Sequence, residues 1–150
     1  MARIEKSIEI KAPPEKVWEM LALDRHPEWM GYKSVQYTSE VRTPEDKYRV
    51  GASVHIIGPE DGFWADLVIT ESLENEKITC RGNEKIRVLG NTTIILTYSL
   101  KPTEAGTEIT SVVDYEMSSI LGKILAKLAS GSMEKEVGRA LEKLKSILEK

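Results

Sequence analysis

Residues 91–117, NTTIILTYSLKPTEAGTEITSVVDYEM, contain two alternating runs joined by a short polar connection. In the first run Ile94, Leu96, Tyr98 and Leu100 fall on one side, opposed by Thr93, Ile95, Thr97 and Ser99. In the second, Ile109, Ser111, Val113, Tyr115 and Met117 share a side, opposed by Glu108, Thr110, Asp114 and Glu116. Successive side chains of an extended backbone point to opposite faces, so this period of two predicts strands with one drier face. The connection Lys101-Pro102-Thr103-Glu104-Ala105-Gly106 is shorter than the roughly dozen residues a parallel crossover needs, and the pair is therefore antiparallel.

Downstream the period changes. Ile120, Leu121, Ile124, Leu125 and Leu128 recur at helical spacing, and Met133, Val137, Leu141, Leu144 and Leu148 continue the pattern. This predicts one long amphipathic helix, with a kink or weak turn at Ala129-Ser130-Gly131-Ser132. Upstream lie four shorter strand-like stretches. Their apolar members are Val35 and Tyr37; Val54 and Ile56; Phe63, Ala65, Leu67 and Ile69; and Ile78 with Cys80. Turns are expected at Gly58-Pro59-Glu60-Asp61-Gly62 and at Glu74-Asn75-Glu76. At the N-terminus RIEKSIEIK (3–11) alternates with Ile4, Ile8 and Ile10 on one side, and Lys6 is the exception. Pro13 and Pro14 end that strand and open a helix carrying Val17, Trp18 and Leu21. Asp24 is expected to cap a second short helical piece, DRHPEWM. A strand, two short helices, six strands and a long helix make an α+β architecture in a single domain over 1–150.

Composition agrees with one self-sufficient core. The chain has 150 residues, 41% apolar and 30% charged, with a net charge of −3, and needs no disulfide or metal staple to fold. The slight acidity excludes the basic footprint of a nucleic-acid binder. Cys80, the single cysteine, agrees with a reducing compartment. MARIEKSIEI lacks the unbroken apolar stretch of a signal peptide, and no run approaches the ~20 apolar residues of a membrane span. The expected location is cytoplasmic.

In this order the pieces resemble the START-like, or helix-grip, superfamily (SRPBCC), which includes plant pollen allergens and the polyketide cyclase/dehydrase and lipid-transport family. The resemblance is carried by SIEIKAPPEKVWEML (7–21), His26-Pro27-Glu28-Trp29, Gly51 with the alternation after it, Gly106-Thr107-Glu108-Ile109-Thr110 and Leu141-Glu142-Lys143-Leu144-Lys145. It implies a curved antiparallel sheet of about seven strands wrapped around the C-terminal helix, with a cavity between them. It also implies binding or carriage of a lipid, quinone, sterol or polyketide-like molecule. Some members are enzymes, so the fold leaves the function open.

The candidate ligand-binding face comprises Val54, Ile56, Leu67, Cys80, Leu96, Tyr98, Val113, Tyr115 and Met117. Opposing it are Leu121, Leu125, Met133 and Val137, and Tyr98, Tyr115 and Ser111 supply the few polar groups that orient a ligand in an apolar pocket. The same residues would serve equally as solid core. Trp29, with Met30, either guards an entrance or seals the end of the core, and sealing is favoured. His26 is expected to be exposed and His55 to lie on the convex face. No metal-ligand spacing or cofactor motif is present. Asp66 is expected to point outward, Cys80 to be a small buried hydrophobe, and no residue is assigned a catalytic role. Residues 119–129, SILGKILAKLA, are expected to face the sheet, with transient membrane contact as the alternative. The expected function is non-enzymatic carriage of a small hydrophobic molecule. Cyclase or dehydratase chemistry on a polyketide-like substrate, or a protein-interaction role, are the other readings.

Overall fold

The computed structural model describes residues 1–59, 62–86 and 90–150. Ala2–Ile10 forms β1, and Pro14 at the first helical position starts α1, Pro14–Met20. A 3-10 turn over Leu23–Arg25 leads into α2, Pro27–Met30, which Gly31 ends in the left-handed conformation at φ 77°. The expected Asp24 cap is not formed; Asp24 instead accepts a 2.7 Å bond from Lys47 Nζ. After β2, Ser34–Tyr37, comes a second 3-10 turn, Pro44–Lys47, which the alternation pattern did not reveal. Its signal was local: Thr43 and Asp46 form a capping box, and the Asp46 carboxylate accepts from the backbone N–H groups of Arg42 and Thr43. Then follow β3 (Ser53–Ile57), β4 (Trp64–Leu73), β5 (Lys77–Ile86), β6 (Gly90–Pro102), β7 (Thr107–Met117) and α3 (Ile120–Leu148). In the expected turn at 58–62, Glu60 and Asp61 lie outside the described residues.

The strands form one antiparallel sheet in the order β1-β7-β6-β5-β4-β3-β2. Six of them make the expected meander. β1 returns along β7 in a register running from Ala2 opposite Tyr115 to Ile10 opposite Thr107. Gly82 marks a close approach on β5: a Cβ there would collide with the Asp66 carbonyl oxygen of β4. A glycine inside a strand permits such an approach where a side chain would push the strands apart.

Rows of paired residues build the inner face. One row is Ile69, Cys80, Leu96, Val113 and Ile4, and the next is Ile78, Tyr98, Ser111 and Lys6. Lys6, the exception in the β1 alternation, reaches α3 through an ion pair with Glu134 at 3.3 Å. The main core gathers Ile69, Ile78, Cys80, Leu96 and Tyr98 of these rows with α1, α2 and the C-terminal half of α3, which contributes Ala140, Leu141 and Leu144. A smaller core at the other end joins Ile4, Tyr115 and Met117 to Ala126. Two bonds anchor the far end of α3 to β1: Lys145 Nζ donates to the Glu9 carbonyl at 2.9 Å, and the Lys11 N–H donates to Glu149 at 2.9 Å.

Two expectations for α3 are corrected. The helix runs unbroken through Ala129-Ser130-Gly131-Ser132; Ser130 Oγ stays within the helix by donating to the Lys127 carbonyl at 2.9 Å. Leu121, expected to oppose the sheet, is 66% exposed, and Ile120, Ile124 and Leu128 also point outward. The side facing the protein is the small-residue stripe of Gly122 and Ala126. Small side chains let the helix sit close to the sheet edge, and turning the leucines inward would hold it away. Leu144→Ala is therefore expected to destabilise the protein by about 2–5 kcal/mol, whereas Leu121→Ala stays within about 0.5 kcal/mol, both measured by urea unfolding.

Candidate functional site: the inner face of the sheet and its cleft

The sheet places most of the candidate residues together. Val54, Ile56, Leu67, Cys80, Leu96, Tyr98, Ser111, Tyr115 and Met117 are all buried on the inner face, and Val113 is half-buried between the two cores. Leu125 and Met133 of α3 are half-buried as well, with Met133 and Val137 packed on the smaller core. Leu121 does not join them. Trp29 packs into the core: it is 4% exposed, and its indole N–H donates to the Met20 carbonyl at 3.0 Å.

Between the two cores the inner face is only partly covered. Ile94, Val113, Met133 and Val137, which pack against the two cores, keep some solvent access, as does Leu125 of α3. Beside them, between β1, β7 and the first half of α3, lies an open recess of about 520 Å³. Tyr115, Met117 and Ala126 form its apolar wall, and Met1, Ala2, Arg3, Glu116, Lys123, Lys127 and Ser130 line the remainder. A volume of this size falls within the ~300–1,000 Å³ range of small-molecule sites.

Three polar residues on or against this face escaped the sequence reading. Glu84 stands on the inner side of β5, in register with the buried Ala65 and Thr92. Burial alone raises its carboxyl to about 7. Tyr32, half-buried and stacked on Phe63 with ring centroids 6.0 Å apart, has its phenol pushed up by burial and then by the Glu84 charge. The Tyr98 phenol is likewise pushed up, first by burial and then by Tyr32 and Cys80. Tyr32 thus interacts with both Glu84 and Tyr98. The inward parity of Glu84 continues that of Ile78 and Cys80 along the same strand.

His26 is the third. It is 1% exposed, not on the surface as expected, because the turn before α2 tucks it between Trp29 and Tyr98 at centroid distances of 4.9 and 5.7 Å. Its Nδ1 lies 3.2 Å from the Leu23 carbonyl, while Nε2 is buried without a partner. Burial lowers its pKa to about 4, so the ring is neutral near pH 7.

The remaining candidates stand where their parity placed them. His55 and Asp66 face outward on β3 and β4, with Nδ1 and Oδ1 2.8 Å apart. Cys80 is buried, and burial pushes its thiol up to about 12, which leaves no thiolate for nucleophilic attack. Among the described residues no group of three His, Cys, Asp or Glu side chains is placed to hold a metal ion.

Comparison with known proteins agrees with this architecture. The sequence model of the family described as polyketide cyclase/dehydrase and lipid transport matches residues 1–149. The chain belongs to that family. No curated protein sequence matches it significantly. Among solved structures, a conserved protein from Geobacillus kaustophilus superposes with a TM-score of 0.76 at 17% identity, covering 98% of this chain and 95% of that one. Protein MLL2253 from Mesorhizobium loti gives 0.74 at 20% identity, covering 98% and 96%. The Aha1 dimer from Colwellia psychrerythraea gives 0.68 at 17%, covering 99% and 97%. At these identities the likeness shows the shared fold alone.

Glu84 and His26 pull stability in opposite directions with pH. Glu84 binds its proton more tightly folded than unfolded. The stability it contributes is full below pH 4.5 and is lost as pH rises through about 7. The neutral His26 contributes stability above pH 6.5, lost as pH falls through about 4. Glu84→Gln is expected to raise the thermal midpoint above pH 7 and to leave it unchanged below pH 4.5, as followed by calorimetry across that range.

Proposed function

We propose that this chain binds and carries a small hydrophobic molecule in the cleft between the inner face of the sheet and α3. The observation that supports this most is the solvent access retained by apolar inner-face residues Ile94, Val113, Leu125, Met133 and Val137. Apolar side chains that remain wet on the concave side are those a ligand would dehydrate, at ~25 cal/mol per Å² of apolar surface covered. The adjoining recess of about 520 Å³ fits a lipid, sterol, quinone or polyketide-like molecule in size. The family's association with lipid transport supports the same reading. Met117 and Met133 suit a wall that adapts to irregular apolar shapes.

One observation favours a second reading. A carboxyl held near pH 7 can both give and take a proton at neutral pH, and Glu84 has a phenol, Tyr32, close enough to feel its charge. These two groups would steer protons in a cyclisation or dehydration of a polyketide-like substrate.

Native mass spectrometry of freshly purified protein is expected to show a retained apolar adduct, and a diverse lipid and quinone panel to raise the unfolding midpoint. Val113→Trp, which fills the junction of the two cores, is expected to abolish both effects while circular dichroism remains that of the wild type. An adduct-free protein unmoved by the panel would remove the carriage reading. Turnover of a polyketide-like substrate that Glu84→Gln abolishes would establish the enzymatic one.

A further inference from the structure

Ten large hydrophobic residues are exposed among the described residues, and four of them fall within nine positions of α3. Ile120 is 78% exposed, Leu121 66%, Ile124 54% and Leu128 80%. At ~100° per residue these four fill an arc of about 100° on the side away from Gly122 and Ala126. Lys123 and Lys127 adjoin the arc along one border and are exposed. Residues 118–133 hold these two lysines and no Asp or Glu, in a chain with 24 acidic residues and a net charge of −3. Apolar exposure and local positive charge therefore coincide on one half of one helix.

We propose that the first half of α3 docks on an anionic lipid surface. An amphipathic helix lying in the interface buries its apolar arc at the acyl boundary while lysines reach the headgroups. Juxtamembrane lysines gain affinity from anionic lipid, which is the charge this segment complements. No helix among the described residues is long and apolar enough to cross a membrane, so the helix lies on the surface. A second copy fits less well. An antiparallel two-fold contact through this arc would bring Lys123 and Lys127 against their own equivalents, with no acid in the segment to pair them. The docked face is distinct from the cleft, although Lys123 and Lys127 also line the recess of about 520 Å³. Docking does not depend on whether the cleft carries a ligand.

Co-sedimentation tests this with vesicles of equal parts phosphatidylcholine and phosphatidylglycerol, and with phosphatidylcholine vesicles as the control. The wild type is expected to pellet with the anionic vesicles, less so as salt is raised. Ile124→Glu/Leu128→Glu is expected to weaken this by about tenfold or more, and Ile124→Ser/Leu128→Ser to do so without added charge. Lys123→Glu/Lys127→Glu is expected to weaken binding about tenfold on anionic vesicles only. All three variants should unfold at the wild-type midpoint, because the substituted side chains face solvent. The proposal is overturned by a wild type that stays in the supernatant, or by serine variants that pellet as the wild type does. A concentration-dependent dimer in analytical ultracentrifugation that the serine variants dissolve would also overturn it, by assigning the face to a second copy.

Discussion

The pairing of β1 with β7 is the constraint on which the other parts depend. Residues 2–10 meet residues 107–115 across the whole intervening chain, in a continuous antiparallel register. This brings the start of the molecule beside the strand that feeds α3. The helix packs on β1 and β7 and reaches α1 and α2, the elements that β1 leads into. Without the β1–β7 ladder the helix would lose its floor and the short helices their place at its far end. The Lys145 and Glu149 bonds to the backbone at Glu9 and Lys11 close the same arrangement at the C-terminus.

Because one helix covers a seven-stranded curved face, coverage is uneven. Leu141 and Leu144 seal the half next to the short helices, where they are 2% and 0% exposed. Over the other half the helix offers Gly122 and Ala126 toward β1 and β7, without filling the space above the middle of the sheet. Half-wet apolar residues such as Ile94 and Val113 result from that geometry. Glu84, by contrast, sits on a covered stretch of the face beside the buried Ala65 and Thr92, and that burial raises its carboxyl to about 7.

Much of this was legible in the residues. The alternation in 91–117 located β6 and β7, the opening segment located β1 and α1, and the parity of Asp66 and His55 placed both on the convex face. Alternation also identified nine inner-face residues, Val54 through Met117, that the structure finds buried or half-buried together. What misled was the assumption that the largest apolar residues of a helix face the core. In the first half of α3 two stripes compete, one large and one small, and hydrophobicity favours the large one. Close packing against a sheet edge favours the small one. His26 was misplaced for a similar reason: its burial comes from Trp29 and Tyr98, the latter 72 positions away in the chain, and nothing local announces it.

Local patterns by themselves determined the order of the strands and main helices, the antiparallel pairing of consecutive strands, and the inner or outer side of the strand residues within the alternating runs. These depend on backbone periodicity, which each segment carries within itself. Tertiary structure alone decided which stripe of α3 touches the sheet, that His26 is enclosed, and that Glu84 and Tyr32 share an apolar setting. Those outcomes depend on distances between segments remote in sequence, and on how much space a neighbouring side chain leaves. Periodicity carries no information about either.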